Sequence, residues 1–516
     1  MAKIKILWVD DEIELLRPHI IFLEKKGYYV DTCTNGTDAI DKIDQETFDI
    51  VFLDENMPGI TGLETLMIIK EKRPSLPIVM ITKSEEELIM EEAIGSKISD
   101  YLIKPVNPNQ ILLSLKKSLD TSRLVSEKTT SNYQQEFRKI SMDLMDVRTY
   151  EDWINIYKKL LYWEIELERI QDEGMVQILE TQKKEANSLF FKFVKNNYED
   201  WFYEEDKPVM SHMAFKEYIY PKLKDGERSV LLMIDNLRYD QWKILEPIIN
   251  EYYNTVKDDA YYAILPTATQ YARNAFFAGL MPLEIEKRFP ELWKNDTDEG
   301  GKNLYEKELL LDQIKRLGMN INTHYSKISS LNAGKKFVEN FKNISTSNHF
   351  TAVVYNFVDM LSHSRTEMEV IKELASNDKA YRSLTISWFK NSPLFEIIKL
   401  AAKSGLKLYI TTDHGTINVN TPSKLVGDKN TSLNLRYKQG KSLSYEKRDV
   451  LAIKDPHDVF LPKINVSSSY VFAKEDMFFA YPNNYNHYVK YYKNTYQHGG
   501  VSLEEMIIPF IELEPK

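Results

Sequence analysis

Ile50-Val51-Phe52-Leu53-Asp54-Glu55-Asn56 sets a short apolar run directly against a carboxylate. A run of that length bounded by polar residues reads as a buried strand, and its last position faces whatever lies at the sheet edge. The pattern repeats on either side. Residues 4–9 run into Asp10-Asp11, residues 78–81 into Thr82, and residues 101–103 into Lys104-Pro105. Helix-like stretches at 12–26 and 84–94 lie between these runs, which predicts βαβ units and a parallel sheet. Open parallel sheets carry their functional groups at the carboxyl ends of the strands. Asp10, Asp11, Asp54, Thr82 and Lys104 are therefore expected at one edge. Three carboxylates in one place repel each other unless a hard cation holds them, and Mg²⁺ takes one or two carboxylates together with phosphate oxygens. Asp54 is then placed as a nucleophile, with Lys104 and Thr82 able to bind its phosphoryl oxygens.

Asp10-Asp11, Leu53-Asp54-Glu55-Asn56-Met57-Pro58-Gly59, Ile81-Thr82-Lys83 and Asp100-Tyr101-Leu102-Ile103-Lys104-Pro105 together resemble the receiver domain of two-component response regulators, over about residues 1–120. The resemblance implies that Asp54 takes phosphate from a sensor histidine kinase. It implies Mg²⁺ on Asp11, Asp54 and the Asn56 backbone, with Asp10 acting through water. Thr82 and Tyr101 would be the hydroxyl and aromatic switch residues. Glu12 after the acidic pair and Glu55 after the phosphoacceptor leave that chemistry intact. Phosphorylation is expected to promote homodimerisation through residues 84–94, 101–103 and 108–119.

The chain has 516 residues, too many for one core. Its 67 basic against 77 acidic residues give a net charge of -10, which opposes non-specific attraction to DNA or anionic membrane. Cys33 is the single cysteine, so intramolecular disulfides and thiolate zinc clusters are excluded and a reducing cytoplasm is expected. The first apolar run is too short for a signal peptide, and nothing approaches the ~20 apolar residues of a membrane span. Beyond residue 120 a polar stretch at 126–132 precedes helical segments at 133–147, 149–172 and 175–199, read as a helical bundle or spacer over 121–205. A second alternating region starts at Ser229, with apolar runs at 230–234, 352–357 and 406–410 and helical stretches such as 304–317 and 393–403. The fold expected is α/β throughout: a (βα)5 receiver, a central helical bundle and a doubly wound domain over 206–516.

The second region also carries chemistry at its strand ends. Asp235 follows one run, Asp359 another with His363 one helical turn later, Asp413-His414-Gly415 a third, and His498-Gly499-Gly500 lies near the C-terminus. Three Asp and three His suit two divalent ions with open positions, and such a pair can clamp the attacking and leaving oxygens of phosphoryl transfer. Pro266-Thr267-Ala268-Thr269-Gln270, between a strand-like and a helix-like stretch, offers a hydroxyl nucleophile at a helix N-terminus. A DNA-reading output would instead need a short basic domain.

That ordered set resembles the alkaline-phosphatase superfamily. Residues 230–239, Thr411-Thr412-Asp413-His414-Gly415 and residues 498–509 resemble its PglZ branch, over about 206–516. The resemblance implies two zinc ions, one on Asp235, Asp413 and His414 and the other on Asp359, His363 and His498. Thr269, second threonine of Pro-Thr-x-Thr, would be the nucleophile rather than Thr267, and Arg273 and Asn274 would contact phosphate. The order receiver, helical spacer, PglZ domain resembles the PorX-like response regulators of type 9 secretion. The implied output is a zinc-dependent phosphodiesterase or phosphatase, and nucleotides or short oligonucleotides are the expected substrates. The competing possibility is a non-catalytic metal domain that docks a partner such as a sigma factor. Residues 416–450 break the strand rhythm and read as an insertion or lid. Lys424, Lys429, Arg436, Lys438, Lys441, Lys447 and Arg448, with Tyr437 and Tyr445, suggest a basic flap that would attract a polyanion and stack bases.

Overall fold

A computed structural model of the chain describes residues 4–74, 76–83, 98–170, 172–356, 377–428 and 431–516, without the side chains of 119–127 and 173. The chain divides into two compact units, Met1–Phe137 with Glu166–Met175, and Arg138–Ile165 with Val176–Lys516.

In the first unit, strands β1 (Lys5–Val9), β2 (Tyr29–Cys33), β3 (Ile50–Asp54), β4 (Ile78–Thr82) and β5 (Asp100–Ile103) form a parallel sheet in the order β2-β1-β3-β4-β5. The central strands β3 and β4 are buried at every position, as the apolar runs require. One sheet face packs Leu7, Val9, Val51, Leu53 and Met80 against Leu66 and Ile69 of helix Gly62–Lys72. The other packs Ile6, Trp8, Phe52 and Ile81 against Leu23 and Ile111. Strand β2, partly exposed at the edge, carries a weak alternating pattern and is not visible as an apolar run. The predicted helix at 84–94 lies outside the described residues.

Three long helices follow, Pro108–Asp146, Tyr150–Ile170 and Glu173–Asn197. The polar stretch 126–132 does not interrupt the first of them, contrary to the sequence expectation. Ser126-Glu127-Lys128-Thr129-Thr130-Ser131-Asn132 contains neither Gly nor Pro, so its polarity does not mark a break.

The second unit is built on β6 (Ser229–Ile234), β7 (Tyr253–Tyr262), β8 (Thr323–Ile328), β9 (Phe350–Tyr355) and β10 (Lys407–Thr411), followed by shorter strands β11 (Ile417–Val419), β12 (Thr421–Val426), β13 (Tyr437–Gly440), β14 (Ser444–Tyr445), β15 (Val450–Ile453), β16 (Ser469–Ala473), β17 (Met477–Ala480) and β18 (Thr495–Gln497), and finally β19 (Ile507–Pro515). The main sheet has the order β7-β19-β10-β6-β9-β8. Strands β10, β6, β9 and β8 run parallel and β19 antiparallel to β10, so the carboxyl ends of β10, β6 and β9 share one edge.

The stretch 416–450 is only in part the exposed flap expected: Lys424, Lys441, Lys447 and Arg448 are exposed, whereas its other described cations are not. It forms β11 to β15, Arg436 and Lys438 are buried, and Tyr437 packs inside with its hydroxyl donating to Asp296 at 3.0 and 3.1 Å. Burial of those cations depends on residues distant in sequence, which local charge counting cannot see. Lys429 lies outside the described residues.

Candidate functional site

At the receiver edge, parallel registry sets the carboxylates and the lysine together. Asp54 pairs with Ile81, Thr82 with Ile103, and the Lys104 amide donates to Thr82 O at 2.7 Å. The Lys104 ammonium then lies 2.8 Å from Asp10 Oδ2 and 2.9 Å from Asp54 Oδ1. Ligand atoms of Asp10, Asp11 and Asp54 fall within 4.8 Å of one another, an all-oxygen set that fits Mg²⁺. Burial, with the neighbouring Asp10 and Asp11 charges, pushes the Asp54 carboxyl up despite Lys104. Burial opposes the Lys104 charge, yet its bonds to Asp10 and Asp54 push its pKa up. Thr82 is buried at the end of β4, Tyr101 half-buried in β5, and Asp11 and Asn56 exposed beside the acidic pocket.

The second site assembles at the ends of β6 and β10. Ligand atoms of Asp235, Asp413 and His414 lie within 4.8 Å of one another, all three residues buried. Asp413 Oδ1 accepts from the backbone amides of Asn236 at 3.2 Å and His414 at 3.1 Å and from Thr412 Oγ1 at 3.2 Å. Burial raises the Asp413 carboxyl, but Arg273 and His414 outweigh it and hold it far below the usual carboxylate range. The Arg273 guanidinium, expected at phosphate, sits between the two ligand carboxylates. It pairs with Asp235 and, at 2.8 Å, with Asp413, and lies 3.5 Å from Glu306 Oε1. Asn274 is buried and donates to Lys302 O at 3.2 Å.

The two histidines are fixed in one tautomer by main-chain carbonyls. His414 Nδ1 lies 3.0 Å from Gly415 O and His498 Nδ1 3.0 Å from Thr267 O. A carbonyl only accepts, so each Nδ1 carries the proton and each Nε2 presents a lone pair. The rings stack with centroids 4.1 Å apart. Two carboxylates and imidazole nitrogens with carbonyl second partners are a donor set that fits zinc. Asp359 and His363 lie outside the described residues.

The two threonines separate cleanly. Thr267 Oγ1 is absorbed by the loop, donating to Gly500 O at 3.1 Å and accepting from the Gly499 amide at 2.9 Å. Thr269 begins helix Thr269–Ala278 and places Oγ1 3.1 Å from His414 Nε2. The Tyr271 and Ala272 amides donate to Ala268 O at 2.9 Å, which leaves the Thr269 and Gln270 amides at the helix start without an intrahelical acceptor.

Sequence reasoning missed the supports. Glu505 is fully buried, accepts from the Gly500 amide at 2.9 Å and from Ser502 Oγ at 2.7 Å, and pairs with Arg436 at 2.5 Å. Glu306, which accepts from Tyr325 OH at 2.5 Å and pairs with Lys327 at 2.9 Å, backs Arg273. The acidic Glu504-Glu505 pair beside His498-Gly499-Gly500 was the available signal, and its partners are not legible locally.

The description "BREX system PglZ alkaline phosphatase-like domain" matches residues 214–513, more than half of the chain. "PorX response regulator linker domain" matches 123–202, and "Response regulator receiver domain" matches 6–116. The chain belongs to the PorX-like response regulators that carry a PglZ domain. Its receiver domain is similar to the transcriptional regulatory protein ResD of Bacillus subtilis, 37% identical over 112 residues, which are 22% of this chain and 46% of ResD. The chain is 30% identical over 213 residues to the regulatory protein VanRc of Enterococcus gallinarum, spanning 41% of this chain and 87% of that one. The match to ZraR of Klebsiella oxytoca, 33% identical over 135 residues, covers 26% of this chain and 30% of ZraR. The chain thus spans less than half the length of ResD and of ZraR. Among solved structures, a CheY-like receiver from Methanospirillum hungatei JF-1 is 28% identical, covers 23% of this chain and 96% of its own, and has a TM-score of 0.23. CheY4 of Vibrio cholerae is 31% identical, covers 23% and 100%, and has a TM-score of 0.22. A receiver domain implies phosphorylation by a histidine kinase. Among the described residues, no helix is long and apolar enough to cross a membrane.

Proposed function

We propose that the PglZ domain is a zinc-dependent phosphoric ester hydrolase whose nucleophile is Thr269, under control of phosphorylation at Asp54. The observation that carries this reading is Thr269 Oγ1 at a helix N-terminus, 3.1 Å from His414 Nε2, beside the Asp235, Asp413 and His414 set. Asp235, Asp413 and His414 would hold one cation, and His498 would contribute to a second. Cations bound there supply Lewis acidity and lower the barrier to losing the hydroxyl proton. Thr269 Oγ1 attacks phosphorus, the P–O bond to the departing alcohol breaks, and that alcohol leaves with a proton. Water then cleaves the threonine ester, returning the hydroxyl and releasing the phosphate. The amides opening helix Thr269–Ala278 receive the non-bridging oxygens. Arg273 neutralises the ligand carboxylates and keeps their geometry when substrate charge arrives.

Oligonucleotides or cyclic nucleotides are the substrate class we favour, and support for them moves from Arg436, Tyr437 and Lys438, which are buried, to helix Tyr485–Tyr492. No residue of this helix is buried, and residues 477–503 contain no acid. Tyr488 stacks on Tyr492, His487 on Tyr491, and the Lys424 ammonium lies 5.2 Å over the Tyr485 ring. The helix leads through β18, which pairs with β11, into His498. Exposed rings interleaved with cations suit a single strand.

The test is hydrolysis of a small chromogenic phosphodiester by the full chain. Activity should fall on chelation and return with zinc, and Thr269→Ala should lose on the order of 10²-fold or more in kcat while keeping its metal. Full activity in Thr269→Ala overturns the nucleophile. Metal without turnover of any phosphate ester leaves a docking platform instead.

A further inference from the structure

One side chain of the helical linker holds the turn behind the hydrolase histidines. Asn187, on helix Glu173–Asn197, is buried, and its amide grips the turn after His498-Gly499-Gly500 at two points. Its Oδ1 accepts from the Leu503 amide at 2.8 Å, and its Nδ2 donates to Glu504 at 3.0 and 3.4 Å. Lys183 of the same helix lies 4.0 Å from Glu504 and 2.6 Å from Glu164.

The gripped turn seats both histidine loops. Gly415, next to His414, donates its amide to Glu505 O at 3.2 Å. A Cβ on Gly415 would fall 1.9 Å from Glu504 O, so the two backbones are in direct contact. On the other side, the Glu505 carboxylate holds the Gly500 amide at 2.9 Å, two residues after His498. Gly499, with φ 118, accepts no side chain without strain, so the loop takes its shape from these bonds. A shift of the turn therefore moves the His414 and His498 loops together.

We infer that Asn187 is a positioning residue of the hydrolase site: its side-chain amide, bonded to Leu503 and Glu504, sets the turn on which the His414 and His498 loops rest. The linker is then a structural component of the site and not a spacer. The inference rests on the zinc hydrolase reading for its zinc-affinity and activity readouts, and not for its hydrogen-exchange readout.

The full chain is compared with Asn187→Ala, Glu504→Gln, Asn187→Asp, and the double variant Asn187→Asp/Glu504→Gln. The double variant exchanges donor and acceptor: a carboxylate at 187 still accepts from the Leu503 amide and now accepts from the amide placed at 504. It also keeps a negative charge near Lys183. Competition with a chromogenic zinc chelator should show Asn187→Ala and Asn187→Asp weakened by roughly tenfold, the low end for a ligand's direct outer partner because Asn187 acts one step further out, and the double variant restored. On a small diester, kcat should fall in the single variants with KM little changed. Wild-type zinc affinity and kcat in Asn187→Ala, with only a lower melting temperature, would overturn the inference, as would failure of the double variant to recover when Glu504→Gln alone is folded. If the wild-type chain binds no zinc and turns over no ester, the hydrolase reading falls by itself. Hydrogen exchange over residues 410–416 and 497–503 then decides: faster exchange in Asn187→Asp, restored in the double variant, supports positioning, and unchanged exchange overturns it.

Discussion

Single residues here owe their role to burial. Lys438 belongs to the stretch that reads as a basic flap, yet its ammonium is enclosed, donating to Ser432 O at 2.8 Å and lying 4.9 Å over the Tyr481 ring. Burial pulls its pKa down to about 8, against a smaller upward pull from Asp296. An unfolded lysine titrates near ~10.4. A folded value below the unfolded one means the contribution is fully present above the unfolded pKa and lost as pH falls through about 8, so at neutral pH the charged form costs stability. Lys438→Met should therefore raise stability by about 2 kcal/mol at pH 7, and the gain should shrink towards zero above roughly pH 10. Denaturant midpoints at the two pH values check this. A gain that does not depend on pH would assign it to packing. The same logic separates Thr267 from Thr269: the first spends its hydroxyl on Gly499 and Gly500, the second aims it at His414.

Among the elements, helix Tyr485–Tyr492 stands out because none of its residues is buried, although Tyr492 packs against Ile417, Val419 and Phe478. Tyr488 is 37% and Tyr491 43% exposed, and Lys490 lies between them. If this helix guides an oligonucleotide to the metal site, removing two rings and one charge should cost long substrates and spare short ones. Tyr488→Ala/Lys490→Ala/Tyr491→Ala should lower kcat/KM for a short single-stranded oligonucleotide by roughly tenfold or more, given ~1–3 kcal/mol per stacked base, while a chromogenic diester is hydrolysed as before. An equal loss on both substrates would make the helix a structural lip of the β11–β18 pair. The elements around it show why the expectation about 416–450 failed for Arg436 and Tyr437. Arg436 is consumed by Glu505 and Tyr437 by Asp296, so the stretch packs as strands while its local composition reads as loop.

At the scale of the whole molecule, the control step is the receiver. Phosphoryl transfer to Asp54 adds charge beside Asp10 and Lys104, which already bond each other. In this reading the change reaches the β5 side of the unit, where Ile103 is 40% and Leu113 69% exposed. Such apolar side chains suit a self-association face, and the remaining part expected there, residues 84–94, lies outside the described residues. Beryllofluoride with Mg²⁺ should raise the mass measured by light scattering towards twice the monomer, and Asp54→Ala should abolish the response. A monomer mass that is unchanged in saturating beryllofluoride rules this mechanism out.

Much of both sites was legible beforehand, because open α/β sheets place the residue after each apolar run at one edge. Asp10, Asp54, Thr82 and Lys104 follow that rule in the receiver, and Asp235 and Asp413-His414 follow it in the PglZ domain. Periodicity and strand ends are local properties, so the chain alone carries them. The supports are not local. Glu505 meets Arg436 across 69 positions, and Asn187 meets Glu504 across 317. The sequence determined which chemical groups reach each edge. The tertiary structure decided which charges are buried there, that Arg273 lies between the ligand carboxylates, and that the linker holds the turn behind the histidines, since burial and pairing depend on residues that only folding brings together.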